Sequence, residues 1–339
     1  MVKRNQGGLW KLAIVLMGVF AIVLSLKTGS FPIPLSEIWQ GLLGQSIEHR
    51  DILFAYRMPR VLVALASGAV LSLSGFYMQV LIRNPLADPY IMGVTAGAGL
   101  GVNLLILGII SVPFVSIFTR PLFAGIGALG SLLLILALGF RTLLYDTYKL
   151  LIAGIAVSSI CTALIGLLIY LFADSDQLRS IVFWTFGNLN SIQIWGWDAV
   201  YIGIAMWAIS LGFGLRYGLH LDVMATGELQ AGQLGMNIIR MKFFLLLVST
   251  LSVGALVAFT GPIGFVGMMI PHISRGILGP KHHQNLFWGS LTGAVFLTLC
   301  DAVSRIIYHP TGIPIGIVTA LVGIPFFLYL LFSDSKFLS

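Results

Sequence analysis

Of the 339 residues, 58% are hydrophobic and 9% are charged, where a soluble domain carries about 25% charged residues. A mean hydropathy of +0.99 leaves too little polar surface for a water-soluble globule, so the composition predicts an all-α polytopic membrane protein. The net charge of +7 is no nucleic-acid signature, because the basic residues stand singly in short loops, as topology signals do.

Lys3, Arg4 and Lys11 precede an apolar run over 12–26. The arrangement resembles a signal peptide, but no small-x-small cleavage site follows, and the run reads as a first membrane helix. Further runs lie at 61–82, 90–115, 122–140, 150–173, 199–215, 243–259, 265–278, 286–300 and 313–332. The expectation is about ten transmembrane helices in a single membrane domain over 1–339. Twelve of the 19 Lys and Arg fall on one set of loops and seven on the other, which places both termini in the cytoplasm.

The stretch "YRMPRVL" carries Arg57 and Arg60 on the outer side, against the positive-inside trend. "LIRNPLADPY" is a sharp inner turn stiffened by Pro85 and Pro89, suited to a gate at a pore mouth. "GVTAGAGLG" and "TGPIGFVG" lack the strand and soluble helix of a nucleotide fingerprint, which leaves close helix packing or pathway lining. Cys161 and Cys300 sit in apolar runs and read as buried packing residues. "FWTFGNLNSIQIWGW" suits the outer interface, with a substrate-stacking role open to its tryptophans. The longest inner loop, over 217–242, has no phosphate-cradling Gly-Lys-Ser/Thr motif, so the chain alone cannot hydrolyse ATP in the P-loop way. His272, His282 and His283 have no accompanying carboxylate or cysteine and read as solvated loop or helix-end residues. Asp301 and Arg305 read as an i,i+4 pair near a helix end. The centres of the runs carry almost no ionisable groups, which disfavours proton or sodium coupling.

Four stretches together resemble the FecCD-type permeases, membrane subunits of ATP-driven importers of ferric siderophores, haem and cobalamin. They are "RMPRVLVALASGAVLSLSGFYMQVLIRNPLADPYIMGVTAGAGLG", "GELQAGQLGMNIIR", "GPIGFVGMMIPHISR" and "IPIGIVTALVGIPFFLYLL". One departure is Gly312 in "TGIPIG", where the family commonly has an acidic residue. The resemblance implies ten helices per subunit and the cobalamin-permease-like fold of type II importers. It implies a second permease copy, a homodimer or a pair of close relatives, with the pathway between the two. Two ATPase subunits carrying ATP and Mg would dock inside, and a substrate-binding protein outside. The resemblance places Arg57, Arg60 and Arg305 at the binding-protein dock. It places Asn84 and Leu86, with Thr147 and Tyr148, at the cytoplasmic gate. The ATPase coupling loop falls on Gly227, Glu228, Ala231, Gly232, Leu234 and Gly235. The fifth helix, with Ala153, Gly154, Ser158, Ser159 and Thr162, would line the pathway.

The expected function is thus the non-catalytic permease subunit of an importer in the bacterial cytoplasmic membrane, with no cofactor or metal of its own. The alternative is an ion-coupled secondary transporter working without partners. An intramembrane enzyme lacks a paired nucleophile and base or a metal-ligand cluster.

Overall fold

The computed structural model describes residues 2–29, 31–110, 119–190, 192–308 and 312–332, and among these no strand occurs. The helices in chain order are α1 (Val2–Lys27), α2 (Leu35–Leu42), α3 (Met58–Ile82), α4 (Val94–Ile106), α5 (Thr119–Ala137), α6 (Phe140–Tyr145) and α7 (Thr147–Phe172). Then follow α8 (Ser175–Thr185), α9 (Ile192–Thr226), α10 (Glu228–Gln233), α11 (Ile238–Thr260), α12 (Val266–Leu278), α13 (His282–Ile307) and α14 (Ile315–Phe332). Each of the ten apolar runs falls on one helix: α1, α3, α4, α5, α7, α9, α11, α12, α13 or α14. Residues 111–115 of the third run, Ser191 of the Trp-rich segment and Lys336 lie outside the described residues. Among the described residues, seven helices are long and apolar enough to cross a membrane. By contrast α4 and α12 have 13 residues each, short of the roughly 20 that a perpendicular span needs. Gly196, at φ 46° and ψ −127°, breaks α9 into two pieces.

The hub is α3, buried along nearly its whole length. Its small residues let other backbones come close. Gly68 meets Gly293 of α13 and Gly75 meets Gly267 of α12, and a Cβ at either α3 position would collide with the partner's carbonyl. Polar side chains stitch the same seams: Ser72 Oγ donates to Gly289 O at 3.0 Å, and Gln79 Nε2 to Met268 O at 3.1 Å. The first Gly-rich stretch is a packing seam too, with Gly97 and Gly101 of α4 on Gly127 and Phe123 of α5. Both cysteines are buried and free, as expected of packing residues. In contrast α1 and α7 are mostly exposed, as befits helices facing lipid or a partner.

The second Gly-rich stretch is an interruption. α11 ends at Thr260, and residues 261–265 run unwound before α12 begins. Their backbone is satisfied inside the protein, where irregular backbone at membrane depth is tolerated. The Asn188 N–H donates to Thr260 O at 2.7 Å, while Tyr90 Oη donates to Ile263 O and accepts from the Ile263 N–H, both at 2.6 Å. The Gly316 N–H donates to Phe186 O at 3.1 Å, so residues 186–188 fold into this junction, which corrects the purely interfacial reading of the Trp-rich segment.

Two further expectations change. The long inner loop is mostly helix, since α9 continues to Thr226 and α10 and α11 account for most of the rest. His282 is no loop residue: it opens α13, is buried, and both its N–H and Nδ1 meet Asp222 Oδ1, at 2.8 and 2.7 Å. Asp222 lies on α9, so the pair ties two helices whose distance in sequence hides the contact.

Candidate functional site

The expected site residues fall at two ends of the bundle and along one helix between them. The Arg83 face holds the C-terminus of α3, the N-termini of α7 and α11, and α10. The Arg60 face holds the C-termini of α1 and α13 and the N-terminus of α3.

On the Arg83 face, α3 ends because Pro85 disfavours helical geometry at Asn84. Arg83 caps it in the left-handed region, at φ 55°. The turn is then fixed locally. Asn84 Oδ1 accepts from the Leu86 N–H at 2.8 Å, and Asn84 O from the Ala87 N–H at 3.1 Å. Asp88 Oδ1 accepts from the Tyr90 N–H at 3.0 Å. Ala87 is buried, while Leu86 is half-exposed, so the turn is anchored beside the residue expected to plug the path.

A second turn faces it. Asp146 caps α7 by accepting from the Tyr148 and Lys149 N–H groups at 3.1 and 3.2 Å. Those backbone hydrogen bonds, foremost from Lys149, with the Lys149 ammonium adding attraction, hold its carboxyl below the usual range. Tyr148 is left 73% exposed. Arg83, Asp146, Thr147, Tyr148 and Thr226–Gln230 line one open cavity of about 690 Å³, which brings the end of α3, the start of α7 and α10 together. Leu86 is not among its lining residues.

The helix α10 is a six-residue helix between Gly227 and Gly235, both at positive φ. Its exposed features are Leu229, 86% exposed, and Leu234 just past its end, 74% exposed. Neither side chain is covered by the rest of the chain. Ala231, expected to offer a close-approach surface, is instead buried inside the chain. Glu228 turns inward to Lys242 Nζ at 2.8 Å. Lys242 was missed from the sequence, where it counts as one more inner charge.

Along α7, Tyr148, Leu151, Ile152, Ile155, Ser158, Ser159, Thr162 and Ala163 line an open trough of about 900 Å³. Ala153 and Gly154 are buried within the chain, so they drop out of the expected lining. The hydroxyls of Ser158, Ser159 and Thr162 donate to Gly154 O, Ile155 O and Ser158 O at 2.8, 2.9 and 2.8 Å. With their protons engaged by the helix, they offer the trough only weak acceptors. Such a wall wets without gripping.

On the Arg60 face, the three arginines expected at the binding-protein dock all have partners within the chain. Arg57 is buried, with Nη1 donating to Leu26 O and Lys27 O at 2.5 and 3.0 Å and Nη2 donating to Phe31 O. These are carbonyls at and just beyond the end of α1, where helices leave acceptors unpaired. Arg305 does the same for Ser25 O and Thr28 O, at 3.0 and 2.5 Å. Asp301 is no helix-end surface group: it is fully buried, receives Arg60 Nε and Nη2 at 3.0 and 2.7 Å, and meets Arg305 Nη2 at 2.8 Å. Arg60 Nη1 also donates to Asn190 Oδ1 at 2.5 Å. Two guanidinium groups, those of Arg60 and Arg305, thus share the one Asp301 carboxylate, while Arg57 is held by carbonyls alone. Gly312, the departure in the last motif, has φ 72°, a conformation where an acidic side chain would be strained.

Comparison with known proteins follows the same lines. The FecCD transport family model matches residues 16–333. The hemin transport system permease protein HmuU of Yersinia pestis is 34% identical, covering 94% of this chain and 93% of its own length. The vitamin B12 import system permease protein BtuC of Salmonella typhi is 36% identical over 96% of both. A solved structure described as an inward-facing metal-chelate type ABC transporter superposes with a TM-score of 0.83 at 30% identity, covering 96% of this chain and 99% of that one.

Proposed function

We infer that this chain, which belongs to the FecCD transport family, is the membrane-spanning permease subunit of an ABC importer for an iron chelate, haem or cobalamin. Two ATPase subunits, which hold the ATP and Mg, dock on the Arg83 face, which is the cytoplasmic one and the face where α1 begins and α14 ends. The observation that carries this reading is the exposure of Leu229 and Leu234 on α10, next to the turns that hold Asn84, Leu86, Thr147 and Tyr148. A second permease copy faces α7, so each wall of the path comes from one subunit. Leu86 then arrives twice at a two-fold axis, and an apolar constriction there blocks passage by dewetting.

The arginine cluster of the Arg60 face receives acidic side chains of a binding protein. Of the three, Arg60 is the least buried and reaches the partner. Buried Arg57 and Arg305 supply field and shape, and field governs association rate more than affinity. Cargo then meets a weakly polar trough and moves inward when the gate turns part. The test is cargo uptake into proteoliposomes with the ATPase and binding protein added or withheld. Uptake requiring both supports the reading, and uptake driven by an ion gradient alone overturns it. Cysteines at Leu86 should crosslink across two subunits in one nucleotide state and fade in another.

A further inference from the structure

Lys242 is the fifth residue of α11 and is fully buried. Its ammonium has two acceptors on two other helices, Glu228 Oε1 at 2.8 Å and Thr147 Oγ1 at 3.0 Å. Thr147 Oγ1 donates onward to Glu228 Oε1 at 3.3 Å, closing a ring of three side chains. Glu228 and Thr147 are each the first residue of their helix, α10 and α7. Little else holds α10. Of its six residues only Ala231 is buried, and Glu228 makes the one polar side-chain contact that the described residues give it to another helix. Six residues do not hold a helix by themselves. An ammonium withdrawn from water is strongly disfavoured without its carboxylate, so the three groups move as one.

We propose that Lys242 is a positioning residue for transport: it locks α10 to the first turn of α7, so that a displacement of α10 reaches Thr147 and Tyr148. Without the lock the displacement is absorbed at Gly227 and Gly235, glycines whose missing Cβ leaves the backbone free to change φ and ψ. This rests on the reading of α10 as the ATPase dock.

The experiment uses the whole importer, with ATPase and binding protein, in nanodiscs. Spin labels go on cysteines at the exposed positions Gln233 and Tyr148 in one of the two permease copies, with Cys161→Ser and Cys300→Ala removing the native thiols. Transport and ATP hydrolysis are measured on unlabelled protein. With Lys242 present, the label distance stays single and narrow with and without nucleotide. Lys242→Met broadens it and lowers cargo moved per ATP about tenfold, while the ATPase still co-purifies. Glu228→Gln keeps size and an acceptor oxygen, so it broadens the distance less; it also serves if Lys242→Met does not fold. A narrow distance in the variants, or cargo per ATP within twofold of the parent, overturns the lock. Leu229→Glu tests the underlying reading separately. If the ATPase still binds and is still stimulated, the docking role of α10 fails; if binding is lost while Lys242→Met leaves the distance narrow, the lock alone fails.

Discussion

The two faces solve the same problem with opposite outcomes. Each buries a cation next to a carboxylate, Arg60 and Arg305 with Asp301 on one side and Lys242 with Glu228 on the other. Around Asp301 the partners are the ends of long helices, α3 and α13, already pressed backbone to backbone at Gly68 and Gly293. There the ion cluster and the arginine–carbonyl bonds fasten something that packing also fastens. Around Lys242 the partner is a six-residue helix with one buried residue. The same chemistry there connects a part that packing leaves loose. Charge pairing stiffens where packing supports it and transmits where packing is absent.

Four substitutions break or sharpen that contrast. The largest effect is expected at Asp301→Ala. It strands Arg60 and Arg305, and removing one partner of a buried ion cluster costs about 3–5 kcal/mol. The thermal midpoint of purified protein should fall steeply, and a midpoint within a degree or two of the parent would mean that water enters the cluster. Next, Arg57→Met deprives three carbonyls of their donor and should cost about 1–3 kcal/mol by the same measurement. If packing supports this face, neither change should alter ATP coupling in the folded fraction.

Thr147→Val is smaller, about 1–2 kcal/mol for the two hydrogen bonds lost, yet on the Arg83 face it should reduce cargo per ATP more than it shifts the midpoint. The reverse ranking would erase the difference between the faces. Smallest is the pair of Glu37 on α2 with His49. Hydrogen bonding by the His49 N–H, with the ring adding to it, holds Glu37 below its ordinary 4.5. Its contribution is therefore present above about pH 4.5 and lost as pH falls through the lowered value in the fold. Glu37→Gln should lower the midpoint slightly near neutrality, with the difference from the parent closing at the acid end, which a pH series of melts would show.

Arg60→Lys sharpens the docking reading in another way. It preserves the charge beside Asp301 but loses the fork. An unchanged association rate with weaker binding would mean that the fork itself touches the binding protein, and unchanged binding would leave the field as the only contribution of Arg60.

The helices were legible because hydrophobicity is local: each apolar run marks its own helix whatever surrounds it. The stiff turn was legible for the same reason, since Pro85 and Asn84 act on neighbouring backbone. The arginines were not. "RMPR" looks like a pair of outward forks until the end of α1 is seen beside it, offering carbonyls 26 to 31 residues away in sequence to Arg57. Asp301 stands 241 residues from Arg60, and nothing in "DAVSR" announces that pairing. Lys242 was hidden differently. A single lysine near a helix end is what a topology signal looks like, and only its complete burial separates the two roles.

The crossings at Gly68–Gly293 and Gly75–Gly267 leave no cushion of side chains between three helices. A joint of bare backbone has no soft layer to shear, so α3, α12 and α13 form an axle that turns without flexing. Whatever changes shape during a transport cycle must then be carried on the rim, by α7 and α10. Probes across the axle should report one distance throughout, while the rim keeps the time of the cycle.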